Sequence, residues 1–357
     1  VFYVIYFLVD KLFSVIILMK SQKVKRGSRK KTQKQSRSKS KSRSKSNKVK
    51  KVIVKKVMTD KEIEGKEGEY FDESHYNKHF GIVKEDCDCY YLDDKGKEIL
   101  LLKFRKNVLP KKQCRDGMVN LKKAAMKHHD NRGASAGKID LSKMPNYAND
   151  PKLFVKPSKF RISGYISKDT GKLVNNSLGN LSRSNIIGYF DRRDRNLGKG
   201  APPCRTTSFT QKELEKWNNV IPLIKSIDKQ FKKLIPSRHK IQHKRAHETP
   251  FVIDDTAFST VTINYNWRTA LHKDAGDLRE GYGNLVVLEE GDYDGGSTGF
   301  PQFGICVDVR EGDFLAMDVH EWHCNTKIKP ISKDYTRLSL VAYLREKMLN
   351  CKGMSLN

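Results

Sequence analysis

The sequence predicts an α+β fold: a double-stranded β-helix core of the jelly-roll or cupin kind with flanking helices, preceded by a disordered basic tail. Three observations carry this expectation. Apolar runs at 285–289, 304–310, 314–319 and 337–344 are bounded by turn residues, as the strands of two facing antiparallel sheets would be. Leu214, Trp217, Ile221, Ile224, Ile227, Phe231 and Leu234 recur at helical spacing and form a stripe able to cover one sheet. Residues 20–56 hold 18 Lys or Arg and no acid, so they cannot bury enough apolar surface to offset the entropy of ordering.

Along the chain, four segments are expected. Residues 1–19 are apolar but interrupted by Asp10 and Lys11, each of which would cost roughly 2.5–3.5 kcal/mol within a membrane span. The first methionine is Met19, so residues 1–18 read either as upstream reading-frame sequence or as a signal anchor. Residues 20–57 are the disordered Lys/Arg/Ser-rich tail, suited to tether the chain to nucleic acid or to direct it to the nucleus. Residues 58–187 form the N-terminal part of the domain. Within them YYLDDKGKEILLLKFRKNVLP reads as a hairpin turning near Asp94, Lys95 and Gly96, and His128 and His129 fall in a loop. Residues 188–350 form the core with its helical support. There Thr210, with Glu213 three residues on, opens the amphipathic helix, and Pro222 kinks or restarts it.

Charge bears on the partner. The 357 residues carry a formal +29, and residues 57–357 keep 51 basic against 40 acidic side chains, a net +11. A basic tail on a basic domain favours a polyanion, because each neutralised phosphate releases counterions. Nucleic acid, and DNA in particular, is the expected partner, although a generally lysine-rich surface is the plain alternative. No stable membrane association is expected, a monomer is favoured, and the location is intracellular: the nucleus or a site of viral DNA replication. Seven cysteines show no metal-binding spacing and read as reduced thiols. His239, His243 and His247 share a helical face that invites a zinc reading, but it is read as a solvated basic surface suited to meet phosphate.

The chemistry lies in three pieces: TALHKDAGD at 269–277, GDFLAMDVHEWHCNT at 312–326 and TRLSLVAYL at 336–344. In an extended segment side chains at i and i+2 share a face, so His272 and Asp274 can reach one ion while Lys273 points away. A later strand end offers His323 or His320. His323 is the expected third ligand, following the buried strand after a short bend, and His320 would then be a hydrogen-bonded neighbour. Two imidazoles and one carboxylate on one face of an octahedron leave three positions open, which suits Fe(II) with a chelating oxo-acid and O2 better than four-coordinate zinc. Alternation puts Arg337, Ser339, Val341 and Tyr343 on one face of the last strand. A guanidinium facing the interior needs an anion, and 2-oxoglutarate supplies a carboxylate for two hydrogen bonds, with the Ser339 hydroxyl adding a third. A structural ion pair with a protein carboxylate is the alternative.

These residues, within the segment from FSTVTINYNWRTALHKDAGD to RLSLVAYLRE and upstream through GYFDRR and PCRTTSFT, resemble the catalytic core of the TET/JBP family. Those enzymes oxidise the methyl group of 5-methylcytosine or thymine in nucleic acid. The resemblance implies that His272, Asp274 and His323 hold Fe(II), that Arg337 and Ser339 hold 2-oxoglutarate, and that O2 is the co-substrate, with ascorbate as a possible aid. It sets Asp277 where the animal TET enzymes have an asparagine touching the target base. Arg205 resembles a basic position that also meets the co-substrate, with a phosphate contact or a surface arginine as alternatives. The expected function is therefore an Fe(II)- and 2-oxoglutarate-dependent dioxygenase hydroxylating a pyrimidine methyl group. A protein side-chain hydroxylase and an inactive nucleic-acid-binding β-helix are the competing classes.

Overall fold

The computed structural model describes residues 49–130, 132–140, 154–155, 158–162, 164–174, 179–192 and 202–354. The readings of residues 1–19 and of most of the basic tail lie outside them. The chain divides into two units, 1–47 and 48–357, and the architecture below is that of the second.

In chain order the elements are β1 (Lys50–Val54), α1 (Asp60–Gly65), α2 (Glu73–Asn77), β2 (Gly81–Val83), β3 (Cys87–Leu92), β4 (Glu98–Arg105), α3 (Lys111–Ala125) and β5 (His128–His129). Next come the short strands β6 (Phe154–Val155), β7 (Gly164–Ile166) and β8 (Leu173–Val174), then β9 (Ser182–Asp191), β10 (Cys204–Thr206), α4 (Ser208–Lys212), α5 (Leu214–Leu234) and α6 (Pro236–Ala246). The remaining strands are β11 (Thr260–Tyr265), β12 (Gly283–Glu290), β13 (Tyr293–Gly295), β14 (Thr298–Phe300), β15 (Ile305–Val307), β16 (Phe314–Met317), β17 (Cys324–Asn325), β18 (Ile328–Pro330) and β19 (Thr336–Tyr343).

One large sheet runs β1-β3-β4-β16-β12-β19-β11-β9-β10, and a smaller sheet β17-β14-β15-β2 faces it, with β13 paired to β18 at the rim. This is the double-stranded β-helix. Strict alternation builds its layers, since neighbouring residues of a strand point to opposite faces. Val286, Leu288, Phe314, Ala316, Leu338, Leu340 and Ala342 join one core cluster with the helices α3 and α5. Their neighbours Leu285, Val287, Leu315 and Met317 join a second cluster with Phe300, Ile305 and Val307 of the small sheet. Each of the Val, Leu, Ile, Phe and Met side chains among them contributes about 1.5–3 kcal/mol by leaving water, so both faces of the large sheet are committed.

Several sequence expectations are corrected. Lys50–Val54, assigned to the tail by its charge, is a strand parallel to β3, because Val52 and Val54 alternate inward while Lys50 and Lys51, at its open end, stay exposed. A core beginning at residue 188 would cut through β9, which pairs with β11 over residues 184–188. Thr210 does not open the long helix. It sits inside α4, where its hydroxyl accepts the Gly188 N–H at 2.8 Å. Pro222 leaves α5 unbroken over 21 residues. The buried stripe of α5 runs through Trp217, Val220, Leu223, Ile224, Ile227 and Phe231, while Leu214 is exposed. His128 and His129 form a short strand on β9 instead of a loop. Cys204 and Cys351 form a disulfide, against the expectation of reduced thiols; 147 residues separate them, and spacing carries no signal at that range. The other five cysteines are free and buried.

Candidate active site

The segment after β11 is held against the segment after β16 by reciprocal backbone pairing. The His272 N–H donates to the His323 carbonyl and the His323 N–H to the His272 carbonyl, each at 3.0 Å, and the Asp274 N–H reaches the Val319 carbonyl at 2.9 Å. Thr269 donates its hydroxyl to Asn325 Oδ1 at 2.7 Å, which closes the same ladder one step further. This pairing brings the three predicted side chains together. His272 Nε2 lies 3.5 Å from Asp274 Oδ1, and His323 Nε2 lies 3.8 Å from Asp274 Oδ2. All three donor atoms fall within 4.8 Å of one another, so one cation could bind all of them.

The orientation of both rings is fixed from behind. His272 Nδ1 faces the Ala270 carbonyl at 2.8 Å and His323 Nδ1 the Glu321 carbonyl at 2.9 Å. Each Nδ1 therefore carries the hydrogen and each Nε2 presents its lone pair to the centre. Burial, and then the neighbouring His272, push the His323 pKa down to about 4, which keeps the imidazole in its metal-binding neutral form. His320 is elsewhere. Its ring meets Asp318 at 3.1 Å and the Asp277 carbonyl at 3.4 Å.

A cavity of about 270 Å³ opens beside the three residues. Leu285, Met317 and Val341 make it apolar on the large-sheet side, and Phe190 and Trp267 add aromatic wall. Ser339, Val341 and Tyr343 line it from β19, as the alternation requires, and Arg345 extends that face by one more step. Arg345 donates to Asp191 at 2.8 Å and lies across Gly276, where a Cβ would meet its guanidinium. Arg132, Ala134 and Ser135 enter from the HHDNRGASAG stretch. Arg345 was legible as the next member of the strand's alternating face, whereas no local pattern marks Arg132 or Trp267.

Arg337 lies on the same strand face as Ser339 but is 1% exposed and, unlike Ser339, is not among the cavity's lining residues. Its Nη2 donates to the Gly296 carbonyl at 2.9 Å, its Nε has no partner, and no ion pair with a protein carboxylate joins it among the described residues. Gly296, at φ +71°, leaves room for the guanidinium, since a Cβ there would stand 3.0 Å from Nε. A buried guanidinium with an unused N–H is suited to an anion, and the Ser339 hydroxyl, accepting from Asn264 at 3.2 Å, stands beside it on the strand.

Asp277 lines the cavity, 9% exposed, with Oδ2 unpartnered. Burial first, and the Asp274 carboxylate second, hold its carboxyl well above the usual carboxylate range. It then offers one donor and one acceptor, where an ionised aspartate would only accept. Arg205 stands on β10 opposite Phe190 and is not among the cavity's lining residues.

A β-helix carrying a His/Asp/His cluster at its open end defines the class of the cupin-like oxygenase fold. Residues 185–346 match the family model Tet_JBP, the oxygenase domain of the 2OGFeDO superfamily. A match to that superfamily's oxygenase domain implies Fe(II), 2-oxoglutarate and O2. The chain is 38% identical over 167 residues to thymine dioxygenase JBP1-B of Trypanosoma cruzi (strain CL Brener), covering 45% of this chain and 19% of that one. It is 31% identical over 227 residues to thymine dioxygenase JBP1 of Leishmania braziliensis, covering 60% of this chain and 25% of that one. The chain thus spans about a fifth to a quarter of the length of these curated relatives. A solved structure of NgTET1 in complex with 5mC DNA aligns at a TM-score of 0.45 with 14% identity, covering 83% of this chain and 94% of that one.

Proposed function

We propose that this chain is an Fe(II)- and 2-oxoglutarate-dependent dioxygenase that hydroxylates the methyl group of a pyrimidine base, 5-methylcytosine or thymine, in nucleic acid. The observation that carries the reading is the convergence of His272, Asp274 and His323 at a cavity that Ser339 also lines, with a buried Arg337 lacking a protein carboxylate two residues before Ser339 on the same strand. His272, Asp274 and His323 would hold the iron, and Arg337 with Ser339 the distal carboxylate of 2-oxoglutarate. With iron and co-substrate bound, the centre supplies an oxidant able to hydroxylate a C–H bond.

The chain's own residues supply placement. Leu285, Met317 and Val341 give the target methyl group a dry wall, and Phe190 and Trp267 offer faces for stacking. Asp277 meets the polar edge of the base, as a donor or an acceptor. A base stacked in a duplex cannot reach a site of this depth, so the target nucleotide is flipped out or already single-stranded. The relatives named thymine dioxygenase favour nucleic acid over a protein side chain as substrate. Arg205, on the strand next to Phe190, is left for the phosphate backbone. An intracellular location, at the nucleus or a site of viral DNA replication, follows from that partner. No helix among the described residues is long and apolar enough to cross a membrane.

The test is incubation of the purified chain with Fe(II), ascorbate and 2-oxoglutarate, offering methylated DNA, unmethylated DNA, RNA and basic peptides in turn, followed by digestion and mass spectrometry. A hydroxymethylated nucleoside that disappears in His272→Ala, while bulk DNA affinity stays, supports the proposal. A +16 peptide with untouched nucleosides moves the reading to a protein hydroxylase, and succinate formation in neither arm defeats both.

A further inference from the structure

The face of His239, His243 and His247 is not the plain basic surface that the sequence suggested, because the fold brings carboxylates to it. His239 is consumed inside the protein, its Nε2 3.0 Å from the buried Asp228. The other two look outward. His243 lies in the last turn of α6 and His247 at its C-cap, and the spacing of four residues stacks their rings with centroids 4.0 Å apart. The loop leading to β11 turns back over the end of α6 and places Asp255 against both. His243 Nε2 and His247 Nε2 stand 3.2 and 3.3 Å from the same oxygen, Asp255 Oδ1.

We infer that His243, His247 and Asp255 form a second divalent-metal site, of the kind that takes Zn2+, separate from the oxygenase centre and clamping α6 to the loop before β11. Zinc binds imidazole nitrogen and carboxylate oxygen at about 2.0–2.2 Å, which in a tetrahedral shell sets donor atoms about 3.3–3.6 Å apart. The Nε2–Oδ1 separations here lie at or just below that spacing, and the three donors fall within 4.8 Å of one another. The His247 ring is already oriented, because its Nδ1 meets the His243 carbonyl at 2.8 Å and leaves Nε2 free to ligate. The loop side is anchored as well. The Ile253 N–H bonds the Phe258 carbonyl at 2.8 Å, the Ala257 N–H bonds Asp228 Oδ1 at 2.8 Å, and Lys225 of α5 reaches Asp254 at 3.2 Å. The Asp255 side chain is 81% exposed, so water has access to a fourth position. None of the three residues lines the oxygenase cavity. The site therefore holds a structural ion and does not depend on the proposed activity.

The experiment uses the full chain dialysed against Zn2+ and analysed by elemental mass spectrometry, with thermal unfolding followed in parallel. Wild type should retain two ions, and His272→Ala with Asp274→Ala should retain one. Adding His247→Ala or Asp255→Ala to that background should leave none. Since the two added substitutions fall on exposed side chains, their unfolding midpoints in chelator should match the background, and only the Zn2+-induced rise should disappear. In otherwise wild-type protein, His247→Ala alone should lower the count from two to one, which covers the case in which the double variant does not fold. A count that His247→Ala and Asp255→Ala leave unchanged, or a Zn2+-induced rise that survives them, would overturn the inference and reduce the cluster to His–Asp hydrogen bonds.

Discussion

Replacing Arg337 by methionine separates two explanations of a buried guanidinium. If a protein carboxylate paired with it, removal would strand that carboxylate in the interior and cost about 3–5 kcal/mol. The structure shows one bond, to the Gly296 carbonyl, an orphaned Nε and no carboxylate partner among the described residues. In co-substrate-free protein, Arg337→Met should then be neutral or stabilising by about 1–4 kcal/mol, as when a buried charge gives way to a side chain of similar volume. Ligand binding should respond in the opposite direction. Two charge-assisted hydrogen bonds to a carboxylate are worth about 1.5–3 kcal/mol each, so the variant should bind 2-oxoglutarate at least 100-fold more weakly. The assay is thermal unfolding with Mn2+, with and without 2-oxoglutarate. At 100 times the dissociation constant the wild type gains about 2.7 kcal/mol, a rise of several degrees, and the variant at the same concentration gains little. A co-substrate-free variant destabilised by more than about 3 kcal/mol, or one that keeps the full 2-oxoglutarate shift, would refute the assignment.

Three further outcomes are expected. Asp277→Asn, which keeps one donor and one acceptor, should retain base oxidation, whereas Asp277→Ala should lose about 1–3 kcal/mol of kcat/KM on oligonucleotides without changing the KM for 2-oxoglutarate; steady-state kinetics on both substrates decides. Cys351→Ser should lower the unfolding free energy measured in urea by about 5 kcal/mol, the chain-entropy value for a link spanning 147 residues, and reductant should affect only the wild type. The His320 pKa is raised above 6.5, first by its hydrogen bond to Asp318. The contribution of that pair is thus fully present below pH 6.5 and lost as pH rises through the folded-state pKa. Unfolding midpoints in chelator should fall with rising pH more steeply in wild type than in His320→Gln, and parallel curves would exclude this linkage.

Much of the site was legible because its signals are short. His272 and Asp274 are two residues apart on an extended segment, and the alternation of TRLSLVAYL alone placed Arg337, Ser339, Val341 and Tyr343 on the inner face. The same rule, carried one step further, reaches Arg345. The strands at 283–290, 314–317 and 336–343 and the stripe of α5 were legible for the same reason, since periodicity is a property of consecutive residues.

Four features depended on closure of the sheets and not on any local pattern. Lys50–Val54 becomes a strand only because β3 offers a parallel edge, against the charge of its own lysines. Arg132 enters the cavity from the HHDNRGASAG stretch, where no local pattern singles that residue out. Cys204 and Cys351 meet because β10 and the C-terminal turn pack together around Phe251 and Met348. Asp255 reaches His243 and His247 because the chain reverses after α6. Sequence by itself determined the donor types, the strand faces and the resemblance to an oxygenase family. Tertiary structure decided which charges are paired, which are left waiting for an anion, and where a second cluster of ligands forms. The physical reason is that spacing along a chain fixes direction over a few residues only, while distances between remote side chains are set by the packing of whole sheets and helices.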